Sequence, residues 1–283
     1  MIDLHTHTKA SDGENTAQEL IDLAIKRGVK ALAITDHDTM DAIEPAMDYA
    51  RDKAILLIPG IVFDTKCECG KMHILGLFVD CNNENLREKL LLIKNERDNR
   101  NIRFIEEFNK LGFDITLEEL IKVSNGKIIG KPHFGRIFLN KKYINTMDEI
   151  FDKYFNQPPF VGIKKNDYIP KEVIKIIKDA NGIAVLAHPQ TLNLNEQELR
   201  EKIIELKRYG LDGMECYHSK QTAEEMKLYK TIAEENNLLI TKGSDYHGES
   251  TLPKRELGTG INSNIVTNID DEILDNLIKK LKN

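Results

Sequence analysis

Eight histidines punctuate this chain, and their nearest polar neighbours are carboxylates and not thiols. His5 and His7 stand in Asp-Leu-His-Thr-His, with Asp12 in the Ser-Asp-Gly turn that follows. His37 lies in Thr-Asp-His-Asp, His73 in Lys-Met-His-Ile-Leu-Gly, and His188 closes Ala-Val-Leu-Ala-His-Pro. Asp245 and His247 share Gly-Ser-Asp-Tyr-His-Gly. Residues two apart on a strand share a face, so His5 and His7 can grip one ion together. Imidazole with carboxylate suits Zn, Mn or Fe better than Mg or Ca. Multi-metal hydrolases use such clusters to activate a shared water and to neutralise a phosphate. A lone histidine in a strand is ordinarily structural, and His133 and His218 taken singly read that way. The set taken together reads as metal ligands.

Most of these residues fall at the ends of expected strands. Met1 to His7, Ala31 to Thr35, Ile55 to Ile58, Met72 to Val79, Ile183 to Ala187, Gly213 to Tyr217 and Leu238 to Lys242 read as strands. Amphipathic helices are expected over Thr16 to Lys26, with Thr16 near the N-cap, and over Asp41 to Arg51. Further helices are expected over Pro170 to Asp179, Glu196 to Tyr209 and Thr222 to Asn236. Alternation of this kind implies βαβ units, a mostly parallel sheet, and chemistry at the C-terminal strand ends. The middle breaks the rhythm: Asn85 to Leu111 is one long charged helical stretch, and Gly126 to Phe160 shows no convincing buried strand. Residues 84–165 therefore read as an inserted helical cap between two parts of one domain, 1–83 and 166–283. There is no internal repeat.

Composition narrows the function classes. With 283 residues, 41% hydrophobic and 30% charged, the chain is an ordinary globular one. No apolar run approaches a membrane span, and the N-terminus carries no basic and apolar leader. Four cysteines do not make a disulfide framework, so a cytoplasmic setting is the simplest. Cys67-Glu68-Cys69 reads as a surface hairpin turn in preference to a zinc clip. A net charge of −6 argues against a broad nucleic-acid surface but leaves room for a local basic groove. No stable protein partner is implied.

The motifs also resemble a family. Asp-Leu-His-Thr-His-Thr with Ser11-Asp12-Gly13, and Ile34-Thr35-Asp36-His37-Asp38-Thr39, resemble the PHP (polymerase and histidinol phosphatase) superfamily. So do His73-Ile74-Leu75-Gly76, Lys131-Pro132-His133-Phe134-Gly135-Arg136, Ala187-His188-Pro189 and Gly243-Ser244-Asp245-Tyr246-His247. The resemblance implies a distorted (β/α)7 barrel. With the helical insertion, it implies the stand-alone bacterial branch of metal-dependent phosphoesterases. That branch acts on nucleoside 3′,5′-bisphosphates or trims the 5′ ends of short RNA. Two or three divalent ions are implied, with a metal-bridging hydroxide attacking phosphorus. His5, His7 and Asp245 would hold one ion, His73 and His188 a second, and Asp12, His37 and His247 a third. His133 and Arg136, with Arg97 or Arg100, would bind substrate phosphate, although Arg97 and Arg100 equally fit a solvated helix face. His218 would protonate the leaving oxygen or bind the substrate.

One position departs from the family pattern. A Gly-Ile-Glu or Gly-Val-Glu segment is expected after the third strand, its Glu bridging two metals, but here Val62 follows Gly60-Ile61. Asp64 lies two residues on and faces the same side of the strand. It is the candidate to replace the missing carboxylate. Two other functions stay open at this point: a histidinol-phosphate-type phosphatase, and a metal- or nucleotide-binding protein that lost its chemistry with the glutamate.

Overall fold

The computed structural model describes residues 1–124, 128–163, 168–250 and 254–282. Seven strands form one sheet in sequence order: β1 (Ile2–Asp3), β2 (Ala31–Ile34), β3 (Leu56–Thr65), β4 (Met72–Leu77), β5 (Ile183–Leu186), β6 (Gly213–His218) and β7 (Leu239–Gly243). The ends of the sheet meet. Leu4 N–H donates to the Lys242 carbonyl (3.2 Å), Asp245 N–H to His5 (2.9 Å) and His7 N–H to Tyr246 (2.9 Å), which nearly closes a barrel. This is the distorted (β/α)7 architecture expected from the sequence.

The distortion lies at β4, which runs antiparallel to both β3 and β5. β3 turns directly into β4 through a hairpin, where the other strand pairs are joined by helices. The reversal has a consequence for chemistry. His73 is the second residue of β4, so it sits at the end that lies beside the C-terminal ends of the parallel strands. The hairpin loop holds Cys67 and Cys69, as the turn reading expects. Their sulfurs are joined in a disulfide, which the sequence reading did not anticipate, and Cys81 and Cys216 are free.

Helices α1 (Ala17–Lys26) and α2 (Ile43–Ala50) cover β2 from outside. Alternation decides which side each strand residue serves. Leu32 and Ile34 pack with Leu20, Ile21, Ala24 and Ile43 of the helices, while Ala31 and Ala33 pack inward with Ile58, Leu75 and Val185. Thr16 caps α1 reciprocally: its hydroxyl accepts from Glu19 N–H (3.2 Å) and its N–H donates to the Glu19 carboxylate (2.7 Å). Asn195 and Thr222 cap the later helices α8 (Glu196–Arg208) and α9 (Ala223–Glu235) the same way.

The chain divides into two units, Met1–Arg87 with Tyr168–Asn283, and Glu88–Asp167. The 165/166 border expected from the sequence lies outside the described residues. The second unit holds most of α3 (Glu84–Lys110), with α4 (Leu117–Val123), α5 (Lys131–Asn140) and α6 (Met147–Ile150). Its core is a knot of phenylalanines, including Phe104, Phe108, Phe134, Phe138, Phe155 and Phe160. The first unit resumes with α7 (Pro170–Asp179), α8 (Glu196–Arg208), α9 (Ala223–Glu235) and α10 (Asp270–Leu281).

The sequence reading placed no helix at α10, yet this helix anchors the barrel. Its Ile273 and Leu277 join the interior cluster. Buried Lys242 donates to Asp270 Oδ1 and to the Val266 carbonyl (both 2.8 Å), and Asp270 Oδ2 accepts from Ile2 N–H (3.0 Å). Among the described residues, no helix is long and apolar enough to cross a membrane.

Candidate metal centre

The strand ends bring the expected residues to one place. Three groups of side chains offer ligand atoms within 4.8 Å of one another: His5, His7 and Asp245; His7, Asp12, His37 and His247; and His37, Asp64 and His73. His7 and His37 each serve two groups, so the three are continuous. Asp245 Oδ1 is 3.5 Å from His5 Nε2 and 3.2 Å from His7 Nε2. Asp12 Oδ1 is 3.6 Å from His7 Nδ1 and 3.4 Å from His247 Nε2. Asp64 Oδ1 lies 3.3 Å from His37 Nδ1 and 3.2 Å from His73 Nε2. Asp64 thus stands between two histidines, while Val62 is fully buried in the barrel interior. His188 falls outside these groups but adjoins the last one, its Nε2 3.1 Å from His73 Nδ1.

Hydrogen bonds behind the ligands set which ring nitrogen faces inward. His5 Nδ1–H donates to Glu215 Oε1 (3.0 Å), leaving the Nε2 lone pair toward Asp245. His247 Nδ1 lies 2.9 Å from the Asp245 carbonyl and 3.3 Å from Arg255 Nη1, with Nε2 toward Asp12. Thr191 Oγ1 lies 2.8 Å from the Lys71 carbonyl and gives it the hydroxyl proton, so it accepts from His188 Nδ1–H (2.8 Å). His5 Nε2, both nitrogens of His7, and His37 Nδ1 are buried and make no hydrogen bond among the described residues. Buried imidazole nitrogens facing carboxylate oxygens in this way fit divalent ions that take N and O donors.

The local electrostatics suit a candidate ion site. Burial disfavours charge on Asp12 and Asp245, but the surrounding imidazoles, His247 foremost, outweigh it and hold both carboxyls well below their usual range. Burial also opposes charge on His37, yet Asp12 and Asp64 raise its pKa to about 9. His73 goes the other way: burial and the neighbouring His37 overcome the pull of Asp64 and lower it to about 4. Burial drives His7 and His188 well below the usual histidine value.

Several supporting residues were not found from the sequence. Glu215 is fully buried on β6; besides His5 it accepts the His188 backbone N–H through Oε2 (2.7 Å), so one carboxylate braces two ligand segments. A lone acid within the buried strand Gly-Met-Glu-Cys-Tyr-His was the signal that could have revealed it. Gly243 makes room for this arrangement, because a Cβ there would lie 2.7 Å from Glu215 Oε1 and 2.2 Å from His5 Cβ. Buried Asp36 accepts from Thr8 N–H (2.8 Å), Thr8 Oγ1 (2.6 Å) and Ser11 Oγ (2.5 Å), bracing the loop that carries Asp12. Asp3 does the same for Ser244, beside Asp245. Arg255 donates to Asp245 Oδ2 (2.6 Å) and to the Asp245 carbonyl. Asp245 (φ 53°) and His188 (φ 29°) both adopt left-handed backbone, a strain of order 1–3 kcal/mol each that functional sites retain.

His218 ends β6, buried, with Nε2 3.5 Å from Asp245 Oδ2. The expected phosphate-binding residues belong to the second unit. Arg97 and Arg100 are buried on α3, and Arg100 lies over the Phe104 ring at 5.5 Å. His133 is buried at the start of α5, where its Nδ1 accepts from Gly130 N–H (2.9 Å), and Arg136 is exposed on the same helix.

Known proteins resemble this chain along most of its length. A model of the PHP domain family matches residues 3–246. The chain is 31% identical to the 5′-3′ exoribonuclease Rnm of Escherichia coli, over 91% of this chain and 88% of that one. It is 27% identical to a 3′,5′-nucleoside bisphosphate phosphatase of Chromobacterium violaceum, over 87% of each. A solved structure described as a metal-dependent phosphoesterase from Bifidobacterium adolescentis superposes with a TM-score of 0.83 at 27% identity, covering 98% of this chain and 95% of its own.

Proposed function

The chain belongs to the PHP domain family and is a metal-dependent phosphoesterase, and we propose that it hydrolyses a phosphomonoester of a nucleoside 3′,5′-bisphosphate or of the 5′ end of a short RNA. The observation that carries this reading is the continuity of the three ligand groups: His7 and His37 are shared, so adjacent ions would act on one phosphate. The names of the relatives supply the substrate class.

Two or three ions, of Mn, Zn or Fe, would be held by His5, His7 and Asp245, by Asp12, His37 and His247, and by Asp64 and His73 with His188 alongside. Bound there, they would supply Lewis acidity and an activated water. The chain's own residues supply the rest. Glu215, Asp36 and Asp3 hold the ligand segments in place. Asp64 supplies a carboxylate on the side where Val62 cannot, which favours an active enzyme over a protein that only binds. Arg136, with Arg97, Arg100 and His133 of the inserted cap, is assigned to substrate phosphate, for which a planar guanidinium is suited. We place this activity in the cytoplasm.

The test is phosphate release from a nucleoside 3′,5′-bisphosphate with added Mn²⁺, with His37→Ala as the control for contaminating phosphatase. Release that disappears in the control is expected. A metal-loaded protein that binds the bisphosphate without releasing phosphate would overturn the reading in favour of a binding protein.

A further inference from the structure

His218 is wired opposite to its neighbours His5 and His188. Those two each commit Nδ1–H to an acceptor and turn an Nε2 lone pair inward, while His247 Nδ1 lies between the Asp245 carbonyl (2.9 Å) and Arg255 Nη1 (3.3 Å). His218 Nδ1 instead faces two donors: Lys220 N–H (3.1 Å) and the Gln190 side-chain amide (3.0 Å). Each contact casts Nδ1 as an acceptor.

The amide orientations give the same answer by a separate route. His218 N–H must donate, so the Gln221 atom 2.9 Å from it is Oε1. The Glu215 carbonyl must accept, so the Gln221 atom 3.2 Å from it is Nε2. That Nε2 also donates to Gln190 Oε1 (3.0 Å), which leaves the Gln190 NH₂ for His218 Nδ1. Each amide is fixed by groups whose donor or acceptor character is invariant. With Nδ1 accepting, the ring's single proton sits on Nε2. That atom is buried, makes no hydrogen bond among the described residues, and lies 3.5 Å from the ligand Asp245.

We infer that the Gln221–Gln190 relay fixes His218 as an Nε2–H donor facing the metal cluster, so that His218 hydrogen-bonds a phosphoryl or leaving oxygen of the substrate and is not a metal ligand. Its substrate role rests on the phosphoesterase reading above. The proton is shared with the oxygen and not handed over, since transfer would leave an imidazolate. Of the two roles the family resemblance offered for His218, this selects substrate binding. Gln190 and Gln221 are positioning residues: they set the tautomer without reaching the substrate.

The test uses the full chain labelled with ¹⁵N-histidine, loaded with Zn²⁺, and two-bond ¹H–¹⁵N correlation spectra that distinguish the tautomers. His218 is assigned from the signal lost in His218→Gln. An Nε2-protonated pattern for His218, beside Nδ1-protonated His5 and His188, is expected, as is a mixed pattern in Gln221→Met. Bound metal per chain should be unchanged in His218→Gln. Turnover in His218→Ala should fall about 10²–10³-fold, the range for losing one donor to a developing oxyanion, with partial recovery in His218→Gln, whose amide restores a donor. An Nδ1-protonated His218, or loss of a metal equivalent in His218→Gln, overturns the inference. Should the unmutated protein release no phosphate, the phosphoesterase reading fails, while the tautomer and the metal count still decide whether His218 is donor or ligand.

Discussion

The candidate ligand cluster has two ends that are built differently. Where β1 meets β7, His5, His7 and Asp245 come from strands locked by backbone hydrogen bonds, and Glu215 braces them from behind. The two histidine side chains there are at most 1% exposed, and Asp245 is 16% exposed. Where β3 turns into β4, Asp64 is 32% exposed, His73 20% and His37 17%, and Val62 stands where the family resemblance implies a bridging glutamate. A buried, braced site loses less entropy on taking up an ion and screens its charges less than an open one. The expectation is therefore a tight end and a weaker end within one continuous cluster, with Asp64 keeping the weaker end functional.

The comparison breaks most visibly at Asp245. Asn at this position removes an anionic ligand from the tight end, and turnover should fall by more than the roughly 10–100-fold that loss of an outer partner costs. Full phosphate release from this variant would remove the tight end from the chemistry. Glu215→Gln leaves every ligand in place but replaces the anion behind His5 with a neutral amide. Metal affinity at the tight end should drop by about 10–100-fold, read by calorimetric titration. An unchanged titration would mean that the brace is only structural.

Asp64→Ala acts at the other end. The titration should lose its weaker binding phase, with about a tenfold fall in affinity or more, while the tighter phase is retained. Loss of both phases would show that the two ends are one thermodynamic unit. The smallest signal is a proton count. His37 is raised to about 9, so at pH 7.5 it carries a proton that an ion must displace. At least one proton per chain should be released on metal binding, measured in buffers of different ionisation enthalpy; none would contradict the charged state.

The same shifts give opposite signs for stability of the metal-free chain. The raised His37 contributes fully below its unfolded value of about 6.5, and this is lost as pH rises through about 9. The lowered His73 contributes above about 6.5, and this is lost as pH falls through about 4.

Much of the architecture was legible because it rests on local signals. Thr16 with Glu19 and Thr222 with Glu225 announce helix starts by capping geometry, and the strand-end histidines stand out against apolar runs. Asp64 was singled out by its two-residue offset from Val62, and it lies beside His37 and His73. Other features were not. Expected to end at Ile58, β3 runs on to Thr65; Pro59-Gly60 reads as a break, but pairing with β4 carries the strand through it. α10 draws its stability from the interior residues it meets and from Asp270 on Lys242, contacts that no local pattern records. The amides of Gln190 and Gln221 carry no charge and form no motif, so their part in the site exists only once the loops are folded together.

The bond from Ile2 to Asp270 joins residues 268 apart in sequence, and His5 and His7 reach Asp245 across nearly the same distance. Contacts of such separation are the slowest to form, because the loop they close must be ordered before any contact rewards it. On a ribosome, β1 (Ile2–Asp3) would emerge before β7 (Leu239–Gly243) and wait, lacking it on one side, until the intervening chain had been made. The candidate site where β1 meets β7 therefore cannot assemble on a nascent fragment that lacks β7, and ion uptake there would report that the ring has closed.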